Sequence, residues 1–362
     1  MKRYGVFLAG AMMAAIAAQA CWPWDVADEE FRNAVPEKDD LMVKIGGDDA
    51  ELTSAVGLLS VNGALDPWVE GECADELCQE EIDGEPYYVD GEVYELTRSA
   101  KWYINGGLEV TLGWIGAILI QPYTEKTEGG YMWGPWAESL SRIQFQFLMT
   151  KESAGVFTIE LDGKNVNASV EDPWTPIVWG DLETGDEPHA SMGTIVLDYT
   201  AVHAIDTAHP TPEAGRITYE FDVREYPFYV DASFEGFEAP DGQVIDAEYG
   251  YTRFDDGMAG ELLFELDADV WPEDDPDGLL ETLFVTSQWT AEGEGQGEAN
   301  ATGGTLDGEG SIVDELSLEE CWAAQSCLFY QTWAEYRAQY SDDTPDSVFD
   351  ECGFISYCPT VI

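Results

Sequence analysis

Cys21 stands directly after Ala18-Gln19-Ala20, where a signal-peptidase cut would make its thiol the first side chain of the mature protein and a target for acylation. The pattern is that of a lipobox with one departure, Ala18 where leucine is usual. Ordinary cleavage after Ala20, leaving Cys21 merely near the new terminus, accounts for the same residues. Setting Cys21 aside leaves Cys73, Cys78, Cys321, Cys327, Cys352 and Cys358, an even set suited to disulfides in an oxidising compartment. Cys73 and Cys78 suit a local bridge, because a zinc half-site would need a second Cys/His pair nearby. The other four allow three pairings; Cys321 with Cys352 and Cys327 with Cys358 is the geometrically natural one, and sequence does not choose.

Hard oxygen ligands for calcium gather around a turn at Asp267, Asp269, Asp275, Asp277 and Glu281, although Pro272 and Pro276 break the spacing of an EF-hand. A solvated acidic hairpin is the plainer account of these residues. Two tryptophan pairs, Trp133 with Trp136 and Trp174 with Trp179, lie in Gly/Pro-rich segments, where their rings could stack on sugars or an apolar ligand, or cap the ends of a barrel. His189, His203 and His209, with Asp198 and Asp206 interleaved, have the residue types of a metal site but a spacing that fits neither a helix face nor a strand face. Hydrolase and nucleotide signatures are missing: no G-x-S-x-G, no H-E-x-x-H and no P-loop occurs. Carboxylate pairs of the glycosidase kind carry no weight in a chain with 73 acidic residues, since some pair always has suitable spacing.

Lys2-Arg3 and the apolar stretch Val6 to Ala18 form a signal peptide over 1–20, too short in its apolar part to span a bilayer. Residues 21–50 read as an acidic tether, because Pro23, Pro36 and acid clusters interrupt any periodicity. Apolar and small residues from Leu96 through Tyr103, Gly107, Thr111 and Ile115 to Leu119 recur at spacings of three and four and predict one buried helix near 93–120. From Arg142 to Thr290 the period changes to two, as in Val156-Phe-Thr-Ile-Glu-Leu161 and Arg216-Ile-Thr-Tyr-Glu-Phe-Asp-Val223, which predicts an antiparallel meander. The expected fold is therefore mainly β: a meander over 51–310 forming a barrel or half-barrel packed on the one long apolar helix. Residues 311–362 are expected to form a disulfide-stapled helical C-terminal tail, with Ser317 and Glu320 completing a capping box.

The formal charge is 15 minus 73, or −58, and residues 45–96 and 254–336 contain no Lys or Arg while carrying 15 and 21 carboxylates. A nucleic acid needs a basic footprint, so that partner is excluded, and contact with an anionic membrane surface is disfavoured for the same reason. With 45% hydrophobic residues the chain can still build a core under an acidic skin.

Asn105-Gly-Gly107, Trp133-Gly-Pro-Trp136, Ala247-Glu-Tyr-Gly-Tyr251, the stretch from Ser287-Gln-Trp289 to Gly303-Gly304, and Glu320-Cys-Trp322 together resemble landmarks of uncharacterised, acidic, exported bacterial lipoproteins. The resemblance spans most of the chain after residue 40 and implies export and lipoprotein character, with no activity and no functional residues to carry over. The reading is thus a non-enzymatic envelope lipoprotein, placed in the outer membrane or at the cell surface by Trp22 after the cysteine, or else secreted in soluble form. Its partners would be the membrane through the lipid anchor and an apolar, lipid or glycan ligand. A calcium-dependent carbohydrate-binding module is the alternative, and a hydrolase the third.

Overall fold

The computed structural model describes residues 27–45, 80–82, 85–87, 92–137, 142–205, 214–238, 244–255, 259–268, 280–304, 315–322, 328–336 and 348–349. The chain divides into two compact units, one comprising Met1–Met42, Ser54–Leu58 and Ile104–Asp246, the other Val43–Thr53, Leu59–Tyr103 and Ala247–Ile362. In chain order the helices are α1 (Glu29–Asn33), α2 (Lys38–Leu41), α3 (Glu92–Leu119) and α4 (Tyr199–Ile205), and the unit boundary falls within α3.

The first unit carries strands β3 (Glu125–Lys126), β4 (Gly130–Ala137), β5 (Ile143–Ser153), β6 (Val156–Asn165), β7 (Thr175–Thr184), β8 (Ser191–Asp198), β9 (Ala214–Asp222) and β10 (Phe228–Glu238). Each pairs antiparallel with its neighbour in sequence. One face of this sheet is apolar because the alternation is strict. Phe145, Phe147 and Met149 on β5, Phe157, Ile159 and Leu161 on β6, and Ile217, Tyr219 and Phe221 on β9 are all buried. The C-terminal part of α3 covers that face with Ile104, Leu108, Leu112, Ile115 and Ile118, a stripe at spacings of three and four. The point of closest approach is Gly107. A methyl group there would collide with the Tyr219 hydroxyl, which donates a hydrogen bond to the carbonyl of Ile104 (3.2 Å).

The second unit repeats the plan with β11 (Val244–Arg253), β12 (Gly260–Ala268), β13 (Glu281–Trp289), β14 (Gly295–Gly303), β15 (Glu315–Trp322), β16 (Leu328–Tyr336) and β17 (Val348–Phe349), again paired in sequence order. A separate hairpin joins β1 (Glu80–Ile82) to β2 (Glu85–Tyr87). Tyr249, Tyr251, Leu262, Phe264, Leu283, Val285, Leu318 and Trp322 form the buried face, and the N-terminal part of α3 contributes Val93, Leu96 and Ala100.

Three expectations are corrected. The sheet is open and does not close into a barrel; its outermost strands β3 and β17 are two residues long, so the edges are blunted by shortness instead of by closure. The C-terminal tail is not helical where it is described. Leu316, Leu318, Glu320 and Trp322 alternate into the buried face of β15, and the aromatic-rich β16 follows, so period two overrides the local capping-box signal. Cys321 is disulfide-bonded; the other anticipated cysteines, Cys21, Cys73, Cys78, Cys327, Cys352 and Cys358, lie outside the described residues.

The third correction concerns the tether. Residues 27–45 are a packed strap, with Ala27, Phe31, Ala34, Val35, Leu41, Val43 and Ile45 buried. Phe31 sets its edge against Tyr131 (4.9 Å between centroids) and lies near Phe157 (5.1 Å). Asn33 and Val35 offer their carbonyls to the main-chain N–H and the Nδ1 of His189 (2.8 Å each). In the second unit Lys44 gives its carbonyl to Trp289 Nε1 (2.9 Å).

Gly107→Ala should therefore destabilise the protein by about 1–3 kcal/mol through overpacking. Gly106→Ala, which meets nothing within 4 Å on the same helix, should be neutral or stabilising by about 0.5–1 kcal/mol. Urea denaturation of the pair measures the difference, and equal effects would refute the close contact.

Candidate functional site

Two carboxylate pairs stand out from the general acidity by their geometry. On the outward face of the first unit, Glu160 and Asp162 alternate along β6. Asp162 is buried (3% exposed) and accepts the Gln146 amide on Oδ2 at 2.8 Å, while its Oδ1 is buried without a hydrogen-bond partner. Desolvation, with the Asp162 hydrogen bond and charge added, pushes the Glu160 carboxyl up to about 7.

Trp179 faces Glu160 across the β6–β7 ladder, and the Arg216 guanidinium lies over its ring at 5.6 Å. Arg216 also reaches Asp198 (3.3 Å) and Glu235 (3.7 Å). The outer face thus presents two neighbouring carboxyls, that of Glu160 raised, beside an aromatic ring already occupied by a cation.

The second pair is internal to the other unit. Glu320, 1% exposed on β15, accepts the main-chain N–H of Glu92 on one oxygen and that of Val93 on the other, both at 2.8 Å. A carboxylate from a strand therefore caps the first turn of α3, satisfying two donors that a helix start leaves open and meeting the positive end of its dipole. Gly297 is required beside it, since any side chain there would strike Val93, and Gly295 leaves room for the Trp322 ring. The Glu92 carboxyl, desolvated and facing Glu320, is pushed up to about 8.

The other anticipated residues are dispersed. Trp133 is a core residue, 2% exposed, with its Nε1 on the carbonyl of Gln121 (3.0 Å) and its ring beside Phe147, so it is no ligand platform. Trp136 lies three residues on, past the cis Gly134–Pro135 bond, opposite Phe145. Trp174 and Trp179 are partly exposed, but their rings already carry Lys164 and Arg216. Asp267 and Glu281 point to opposite faces of the β12–β13 ladder: Asp267 is exposed and accepts the Thr282 hydroxyl at 3.1 Å, whereas Glu281 is fully buried. They cannot share one calcium ion, and Asp269, Asp275 and Asp277 lie outside the described residues. His189 secures the strap, His203 is exposed on α4, and His209 is outside the described residues. Among the described residues no three or more His, Cys, Asp or Glu side chains converge on a point where a metal ion could sit.

Sequence reasoning assigns Glu320 to the cap of a local helix, and it does not distinguish Asp162 among so many acids. The available signal for Glu320 was its place in the alternation Leu316, Leu318, Glu320, Trp322, which puts a carboxylate where an apolar side chain is due. Comparison with family models, with curated proteins and with solved structures finds no match.

Both raised carboxyls give stability the same pH dependence. Below pH 4.5, the ordinary value of either group, folded and unfolded chains are both protonated there and no penalty arises. As pH rises through about 7 for Glu160 and about 8 for Glu92, the unfolded chain has already released protons that the folded chain retains, so stability falls. Glu92→Gln should flatten this slope, gaining stability over the parent at pH 8 and little at pH 4.5; an unchanged slope in thermal melts would refute the assignment. Glu320→Ala should cost about 2–4 kcal/mol, because two buried helix N–H groups lose a charged acceptor. Glu320→Gln, retaining one acceptor oxygen, should cost less in the same denaturation assay.

Proposed function

We propose that this chain is an exported cell-envelope lipoprotein, acylated at Cys21, with a non-enzymatic structural or surface-binding role. The observation that carries the reading is the arrangement Lys2-Arg3, apolar Val6 to Ala18, then Ala18-Gln-Ala20-Cys21, followed within six residues by Ala27, the buried first residue of the strap. Anchoring of this kind needs no membrane-spanning helix, and no described helix is long and apolar enough to cross a bilayer.

The filled interior bears on which role the anchored protein plays. A carrier of apolar ligands would present an open apolar surface, whereas here each sheet's apolar face meets the chain's own helix, at Gly107 against Tyr219 in one unit and at Val93 against Gly297 in the other. That supports a structural or surface role over internal lipid carriage. The calcium-dependent carbohydrate reading has lost Trp133 to the core and has Asp267 and Glu281 on opposite faces, so it draws no support from these residues. Trp22 after the acylated cysteine favours the outer membrane in the best-known sorting scheme.

Intact mass of the protein purified from its own membranes tests the reading. A chain beginning at Cys21 with acyl chains added is expected; an unmodified terminus at Cys21 or elsewhere would make this a soluble secreted protein. Adding EDTA should leave the melting temperature unchanged, and a clear drop would restore the calcium module.

A further inference from the structure

The connection between β6 and β7 holds a lysine in an unexpected setting. Lys164 is 5% exposed, yet its ammonium makes no ion pair with any carboxylate among the described residues, in a chain that has 73 acids to offer. A buried charge of this kind is costly unless its donors are met. The ammonium donates instead to the main-chain carbonyl oxygens of Val170 (3.2 Å) and Asp172 (2.5 Å), and it lies over the Trp174 ring, 5.6 Å from the centroid.

The second of those carbonyls belongs to the bond between Asp172 and Pro173, two exposed residues. An aspartyl–prolyl bond is open to attack by its own side chain. The carboxylate can close a cyclic anhydride on the carbonyl carbon, and the proline nitrogen, which carries no hydrogen, is a basic leaving group. One Asp172 oxygen accepts the main-chain N–H of Ser169 (2.7 Å), and the other makes no hydrogen bond among the described residues. Nucleophile, target bond and a cation on the oxygen that gains charge therefore occupy a single turn, and holding them together removes most of the entropic cost of the encounter.

We infer that the chain cleaves itself between Asp172 and Pro173, an activity that requires neither anchor nor partner. A carboxylate oxygen of Asp172 bonds to the carbonyl carbon of the same residue, and the negative charge that moves onto the carbonyl oxygen is met by the Lys164 ammonium. The C–N bond to Pro173 then breaks, its nitrogen takes a proton from solvent, and an anhydride is left on Asp172. Water opens the anhydride, so one peptide bond is hydrolysed with no change of oxidation state. The β6–β7 ladder, which pairs residues on either side of the cut from Val156 with Glu183 to Gly163 with Thr175, keeps the two pieces together afterwards.

The full chain supplies its own controls, because Asp66–Pro67 and Asp275–Pro276 are the same kind of bond. Incubation in mildly acidic buffer, which provides the proton for the leaving nitrogen, followed by denaturing mass spectrometry should yield a piece ending at Asp172 and one beginning at Pro173, well ahead of cuts at the other two bonds. In urea that preference should vanish. Lys164→Met should slow the cut on the order of 100-fold, the usual effect of losing one donor to an oxyanion, and Asp172→Ala, a change at an exposed position, should abolish it. Equal cutting at all three bonds in the folded chain, or an undiminished cut in Asp172→Ala, would overturn the inference. An unchanged rate in a Lys164→Met protein that melts cooperatively would overturn it as well.

Discussion

One buried carboxylate determines where the long helix begins. Glu320 binds the two leading N–H groups of α3 from 228 and 227 residues away, so the helix start is secured by a strand and not by its own flanking sequence. Much of the second unit's inner face is arranged around that contact. Gly297 is bare so that Val93 can approach, Trp322 turns its edge to Tyr94 (5.5 Å between centroids), and the Glu92 carboxyl is pushed toward its neutral form to coexist with its neighbour. A buried charge in an apolar layer is costly unless its oxygens are satisfied, and here two main-chain donors and a helix dipole satisfy them.

What the sequence disclosed and what it concealed follow from the range of the signals. Strands from β5 to β13 announce themselves because Phe145, Phe147 and Met149, or Ile217, Tyr219 and Phe221, alternate over enough residues to fix a face. Helix α3 is readable for the same reason at a period of 3.6, and its span falls within a residue of that expected. Closure is another matter: alternation states which face is buried and nothing about whether the last strand meets the first. The strap was read as a linker because Phe31, Val35, Leu41 and Ile45 follow no single period, each residue being buried by a different neighbour. In the tail, the local pair Ser317 and Glu320 suggested a helix start, and Glu320 does cap a helix, but one encoded more than two hundred residues earlier.

The candidate sites illustrate the same limit at the level of single side chains. Glu160 and Asp162, two apart on a strand, have a visible spacing, yet among 73 acids only the burial of Asp162 and its Gln146 partner distinguish them. Tryptophans in Gly/Pro-rich segments suit surface platforms and the capped ends of a barrel equally well by spacing. The structure divides them by environment, sending Trp133 inward and leaving Trp174 and Trp179 under basic side chains that a composition of seven lysines and eight arginines makes scarce.

Within each unit every strand pairs with its immediate neighbour in sequence, which makes most contacts local and quick to form. The helix cap and the Trp289–Lys44 bond, which spans 245 residues, are the opposite, and closing such long loops is slow. A chain made N-terminus first, as synthesis makes every polypeptide, presents its strap and helix long before β13 and β15 exist to receive them. Its earliest segments must wait uncovered, and the density of carboxylates along the chain supplies the self-repulsion that keeps such a waiting polypeptide from collapsing on itself or on its neighbours.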